Sequence, residues 1–148
     1  MNNPIARFSA ALGLLLLSAA ATADNSTKVP GYTIHHNVFT TDALSPEVAN
    51  AYDIRRSSNR AMLNVSVIRD VPGSTGKAVP ARVTAVATNL MGQQRDVPLR
   101  EVREGEAIYY IGDFLVGHRE VLDFDLSVAP AGDNQAYSAH LTQEFFTK

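Results

Sequence analysis

The sequence predicts an all-β antiparallel sandwich of about seven short strands with one short helix. Three observations carry that expectation. Apolar and polar residues alternate with a period of two through much of residues 60–147. Clusters of Gly, Pro, Asn and Asp punctuate the chain at fairly even intervals of hairpin length. Only one stretch, Ser45-Pro46-Glu47, opens like a helix. An open barrel fits the same pattern, because alternation does not distinguish a closed sheet from two stacked ones.

The first residues have a different character. Arg7 is their only charge, followed by an apolar run from Ala10 to Ala20 and the tripeptide Ala21-Thr22-Ala23. A positive end, a short apolar core and a small-x-small site form the pattern of a cleavable secretion signal. The run is too short for a membrane span, which needs about 20 apolar residues. Residues 1–23 are therefore expected to be a signal peptide cleaved near Ala23, with the periplasm as destination. Residues 24–30 read as a flexible leader, and 31–148 as one domain of ordinary size.

Tyr32–Phe39 is the first expected strand. Ser45 then suits a helix cap, Pro46 a first turn and Glu47 the positive end of the dipole. One or two turns follow over 46–52, with Val48, Ala51 and Tyr52 available to face the core. From Arg60 the period becomes two, and Ala61, Leu63, Val65 and Val67 share a face. Asp70-Val-Pro72-Gly73 breaks that strand, and Val83, Ala85 and Ala87 mark the next. Residues 96–102 are extended, with Pro98, which has no amide to donate, marking a sheet edge.

Ala107–Phe114 is apolar on both faces. Leu122, Phe124, Leu126 and Val128, then Tyr137, Ala139, Leu141, Gln143 and Phe145, form the rows of a final hairpin. Both rows must face the core, and pairing Phe124 with Leu141 would set Asp125 opposite His140 outside.

Two resemblances sharpen this outline. Gly105-Glu-Ala107-Ile-Tyr109-Tyr-Ile111 resembles the turn-Ala-x-Tyr-x-Cys segment of immunoglobulin domains. Tyr109 would supply the hydroxyl of a tyrosine corner and Ile111 would replace the cysteine, so the sandwich is expected to be immunoglobulin-like. The chain from Gly31 onward is also similar to the DUF4426 family of exported proteins from Gram-negative proteobacteria. The matching residues are Gly31-Tyr-Thr-Ile-His-His-Asn37, Ser45-Pro-Glu-Val-Ala49 with Ala51-Tyr52, and Ser58-Asn-Arg-Ala61 with Leu63-Asn-Val-Ser-Val67. Ala87-Thr-Asn-Leu90 with Gly92-Gln93 and Arg103-Glu-Gly-Glu-Ala-Ile-Tyr-Tyr-Ile-Gly112 complete them. That resemblance implies a periplasmic domain and brings no catalytic residues to this sequence.

Composition excludes several functions. With no cysteine, the chain has no disulfide, thiolate metal site, thiol nucleophile or acylated lipoprotein cysteine. Thirteen Lys and Arg against fifteen Asp and Glu give a formal charge of −2, which offers no field for a phosphate backbone. Neither a nucleic-acid partner nor a further membrane span is expected.

Candidate chemistry is sparse. His35 and His36 are strand neighbours and point to opposite faces, so one metal cannot readily take both; His118 and His140 lie far off in sequence. Asp123 and Asp125 share an outer face near His140 and Glu144, where acid–base work or cation binding is conceivable and a solvated ion pair is the simpler reading. Asn64, Ser66, Thr84 and Thr88 suggest a small polar sheet face open to a partner.

No residue is assigned as catalytic, cofactor-binding or metal-binding, and no cofactor is expected. The sequence favours a non-catalytic binding or interaction module for another cell-envelope protein. The alternatives are a small hydrolase or metal-dependent enzyme using Asp123, Asp125 and His140, or a small-ligand carrier with a cleft lined by Tyr109, Tyr110 and Phe114. The oligomeric state is left open.

Overall fold

The computed structural model describes residues 25–147, so the expected signal peptide lies outside the described residues. Within them the chain forms ten strands, one 3-10 turn and one helix. The strands are β1 (Ser26–Val29), β2 (Tyr32–Thr40), β3 (Arg60–Arg69), β4 (Lys77–Ala78) and β5 (Ala81–Asn89), then β6 (Gln94–Asp96), β7 (Arg100–Glu104), β8 (Ala107–Leu115), β9 (Glu120–Pro130) and β10 (Tyr137–Phe145). The helix, α1, spans Pro46–Ala51.

All pairings are antiparallel. One sheet has the order β1-β2-β3-β8-β7, with β4 added to β3; the other runs β10-β9-β5-β6. Setting aside β1 and β4, strands β2, β3, β8 and β7 follow the A-B-E-D order of immunoglobulin domains. β10, β9, β5 and β6 follow G-F-C-C′. The expected immunoglobulin-like sandwich is the fold observed.

The core forms where the period-two rows meet. Ala61, Leu63, Val65 and Val67 are buried on β3, and Leu122, Phe124, Leu126 and Val128 on β9. Phe124 is fully buried, with the Phe114 ring 5.6 Å away. Phe124 pairs with Leu141 and Asp125 with His140, the register that two inward-facing rows require.

Three expectations need correction. The segment taken as a flexible leader contains β1, paired with β2 from Ser26↔His35 to Val29↔Tyr32. A short edge strand needs little apolar content, which is why its polar sequence hid it. Residues 96–102, expected as one strand, are divided between β6 and β7, which lie in different sheets. The break falls at Pro98, so the missing amide marks both an edge and the crossing point. With β4, a two-residue strand at Lys77–Ala78 that was also not expected, β1 and the division turn about seven strands into ten.

α1 is the third correction. Ser45 Oγ accepts from Val48 N–H at 3.3 Å, as the cap reading requires. The Glu47 backbone amide, and then the Ser45 side chain, hold the Glu47 carboxyl below its usual range. Yet Ala49 is the residue α1 buries, while Val48 and Ala51 are exposed. The helix covers the outer face of the larger sheet instead of entering the sandwich. Asp53, at φ 54°, ends it in the left-handed conformation, and Ile54 N–H reaches back to Ala49 O at 2.8 Å. That closing turn drives Ile54 against Met62 and Ile111, making a second small core outside the sandwich.

Candidate functional site

The outer face of the larger sheet carries the site. Alternation on β3 sends Met62, Asn64 and Ser66 outward, opposite the buried odd-numbered row. On β8 the same rule turns Tyr109 and Ile111 outward, and on β7 it turns Val102 and Glu104 beside them. The segment from Phe39 through α1 passes over these residues but does not fill the space beneath it. A cleft of about 220 Å³ remains, bordered by Leu44, Val48 and Tyr52 above and by Met62, Tyr109 and Ile111 below.

Three contacts hold the covering segment in place. Buried Thr41 donates its hydroxyl to Arg55 O at 2.8 Å and accepts from Ser57 N–H at 2.9 Å, pinning the loop after α1. Arg100 donates to Tyr52 O. Tyr52 donates its own hydroxyl to Glu104 Oε2 at 2.6 Å, and that bond raises the Tyr52 phenol above its usual pKa. The cleft is therefore a fixed feature between α1 and β7.

Its walls are mostly apolar, but its floor has one polar mark. Asn64 Oδ1 is buried without a hydrogen-bond partner among the described residues. Asn64 also borders a polar trough of about 170 Å³ that continues along the sheet beside His35, Asn37 and Ser66. An apolar recess thus joins a polar strip at Asn64. Such an arrangement suits recognition, in which shape and a few placed polar groups fix an occupant. The Tyr52–Glu104 pair at its edge is the bond that fastens α1 to β7.

The residues singled out from sequence are distributed differently from expectation. His35 is exposed on the outer face and His36 is buried on the inner one, 2% exposed, as the strand rule demands. Tyr109 lines the cleft, whereas Tyr110 and Phe114 face the sandwich interior, so the three do not share a ligand site. Asn64 and Ser66 lie on one sheet and Thr84 and Thr88 on the other, so they form no single polar face.

Asp123, Asp125 and His140 do come together. His140 Nδ1 lies 3.0 Å from Asp125 Oδ1, and Nε2 lies 3.9 Å from Asp123 Oδ1. These side chains are 43–68% exposed, and no group of three or more potential ligands among the described residues is arranged to hold a metal ion. They form an exposed cross-strand pair with a second carboxylate nearby.

The tyrosine corner is displaced as well. Residues 105–111 resemble an F strand but form β8, in the E position. The bonding hydroxyl belongs to Tyr110, which accepts from Ala81 N–H in the opposite sheet at 2.8 Å and donates to Glu101 Oε2 at 3.3 Å. Ile111 is buried, though in the outer cluster under α1 and not in the sandwich.

The family model for a domain of unknown function, DUF4426, matches residues 26–148. The chain belongs to the DUF4426 family. A crystal structure of another DUF4426 protein, from Pseudomonas aeruginosa, is 31% identical. It aligns over 83% of this chain and 94% of its own, with a TM-score of 0.71. Two structures of FetP from uropathogenic Escherichia coli share the fold at 7% identity. One, expressed in the periplasm, aligns over 82% of this chain and 92% of its own with a TM-score of 0.56. The other, a copper-bound variant, aligns over 83% and 95% with a TM-score of 0.58. No curated protein matches the chain.

Sequence reading of this DUF4426 domain missed the cleft because its walls come from four separated segments. The Ser45 cap and the two-faced apolar run of β8 were the available signals. Together they place a helix somewhere over an unusually apolar outer face.

Proposed function

We propose that this chain is an exported, non-catalytic binding module that takes an apolar side chain of another envelope protein into the cleft under α1. The cleft carries the reading. Pockets that carry small molecules usually span roughly 300–1,000 Å³, and this one measures about 220 Å³. That volume suits a side-chain knob better than a carried ligand. Asn64 Oδ1 on the floor supplies an acceptor for a donor beside the knob. Val48, 39% exposed at the rim, extends the apolar surface outward.

Export is supported by Arg7, the apolar run and Ala21-Thr22-Ala23. No helix among the described residues is long and apolar enough to cross a membrane. The copper bound to the FetP variant is not carried over, since likeness at 7% identity reaches the fold alone.

Photocrosslinking in the producing cell tests the reading. A photoreactive residue at position 48 should capture one envelope protein, and Tyr109→Asp in the cleft wall should abolish that capture. The same residue at exposed Val71, in the turn after β3, should capture nothing in common. Equal capture from both positions, or capture that survives Tyr109→Asp, would remove the cleft from consideration.

A further inference from the structure

Four strands end the two sheet orders, and three of them are defended. β1 has four residues, β6 has three and is closely followed by Pro98, and β7 reads Arg-Glu-Val-Arg-Glu. Shortness, proline and charge are ordinary protections of an edge against another chain. β10 is neither short nor interrupted by proline, and it carries little charge. It runs nine residues without proline, glycine or lysine, and Glu144 is its only carboxylate. Among the described residues it pairs with β9 alone; the Tyr32 ring packs on Tyr137 at its start, and farther along, the outward row of amides and carbonyls has no strand partner.

Its side chains favour one occupant, a second copy of the same strand. An antiparallel pairing about a two-fold axis at Thr142 sets Thr142 opposite its own mate, His140 opposite Glu144, and small Ala139 opposite Phe145. A Thr–Thr pair directly across a sheet is favourable, and this axis sets no like charges opposite each other. Neighbouring axes lose this match. An axis at Leu141 leaves Glu144 against Ser138, one at Gln143 sets His140 against Phe146, and one at His140 sets imidazole against imidazole. Both central side chains are already oriented on the outer face. Asp125 holds His140 Nδ1 at 3.0 Å, and Thr142 donates to Asp123 at 2.5 Å. Less side-chain freedom is then lost on association.

We propose that β10 is a self-association edge through which two copies join about Thr142, merging their four-stranded sheets into one continuous eight-stranded sheet. The cleft under α1 lies on the other sheet and takes no part, so either proposal stands without the other.

Because the chain has no cysteine, single introduced thiols report on the axis directly. Thr142→Cys should oxidise to a covalent dimer, since residues on the axis face each other about 5 Å apart. Ser138→Cys should not, because its mate lies eight residues along the ladder, about 27 Å away. In sedimentation equilibrium the unmodified protein should dimerise, and Glu144→Lys, which sets an ammonium opposite each His140, should raise the dimer Kd roughly fivefold. Circular dichroism confirms that each variant is folded, and Glu144, exposed on the outer face, is safe to replace. A monomer at about 100 μM, a Kd unchanged by Glu144→Lys, or equal crosslinking from positions 138 and 142 would overturn the proposal.

Discussion

The Tyr110 hydroxyl crosses the sandwich to accept a hydrogen bond from the Ala81 amide at 2.8 Å. It joins the middle of β8 in one sheet to the first residue of β5 in the other, without a disulfide. Removing one partner of a buried hydrogen bond leaves the other desolvated and unpaired. Tyr110→Phe should therefore cost about 1–3 kcal/mol in urea melts. Tyr109→Phe, on the outer face, should cost clearly less. A larger loss for Tyr109 would put the clasp elsewhere.

Alkaline titration follows from the same side chain. Burial pushes the Tyr110 phenol above its ordinary value near 10. A group whose folded pKa is raised contributes stability that is complete below the unfolded pKa and disappears as pH climbs through the folded one. Stability of the unmodified protein should thus decline above about pH 10, and Tyr110→Phe should flatten that decline. Urea midpoints at about pH 8 and about pH 11 make the comparison; parallel slopes would contradict it.

Thr41 is fully buried and ties the loop after α1 to the end of β2. Thr41→Val keeps the shape but strands Ser57 N–H, so it should cost about 1–3 kcal/mol. It should also speed amide exchange at Ser57 and Ile54 more than on β9, because the covering segment loosens before the sandwich does. Uniform exchange across both would show that the segment is not pinned locally.

The legibility of this chain follows from how local each signal is. Alternation on β3 and β9 exposes its meaning within eight residues, so the core rows, the Phe124–Leu141 register and the Asp125–His140 pair were all readable. Ser45 and Pro46 act within one turn, so the helix start was readable too. The face α1 covers depends on Ile54 meeting Met62 and Ile111, contacts between distant segments that no local pattern encodes. The immunoglobulin likeness was right for the fold and wrong for the strand. A turn followed by Ala-x-Tyr suits any edge-to-centre strand of a sandwich, and here it falls on E instead of F. β1 escaped notice because four half-polar residues carry too little periodicity to read.

Among the described glycines, Gly112 has the least room for a side chain. A Cβ there would lie 2.2 Å from Pro98 O and 2.9 Å from a Leu99 methyl, where the chain crosses from β6 to β7. Gly112→Ala should push that crossing away from β8 and cost about 1–3 kcal/mol, as overpacking does. Retained stability in thermal and urea melts would mean that the crossing yields freely.

The interleaving of the two sheets also sets a clock on synthesis. β5 waits for β9, since Ala81 pairs with Pro130, and β3 waits for β8, since Arg60 pairs with Leu115. A chain emerging N-terminus first can form the β2–β3 hairpin early but can complete neither sheet until its last third has appeared. Topologies dominated by such distant pairings fold in milliseconds to seconds. Until then the emerging chain carries its native tertiary structure incomplete, with β3 and β5 waiting for partners made later.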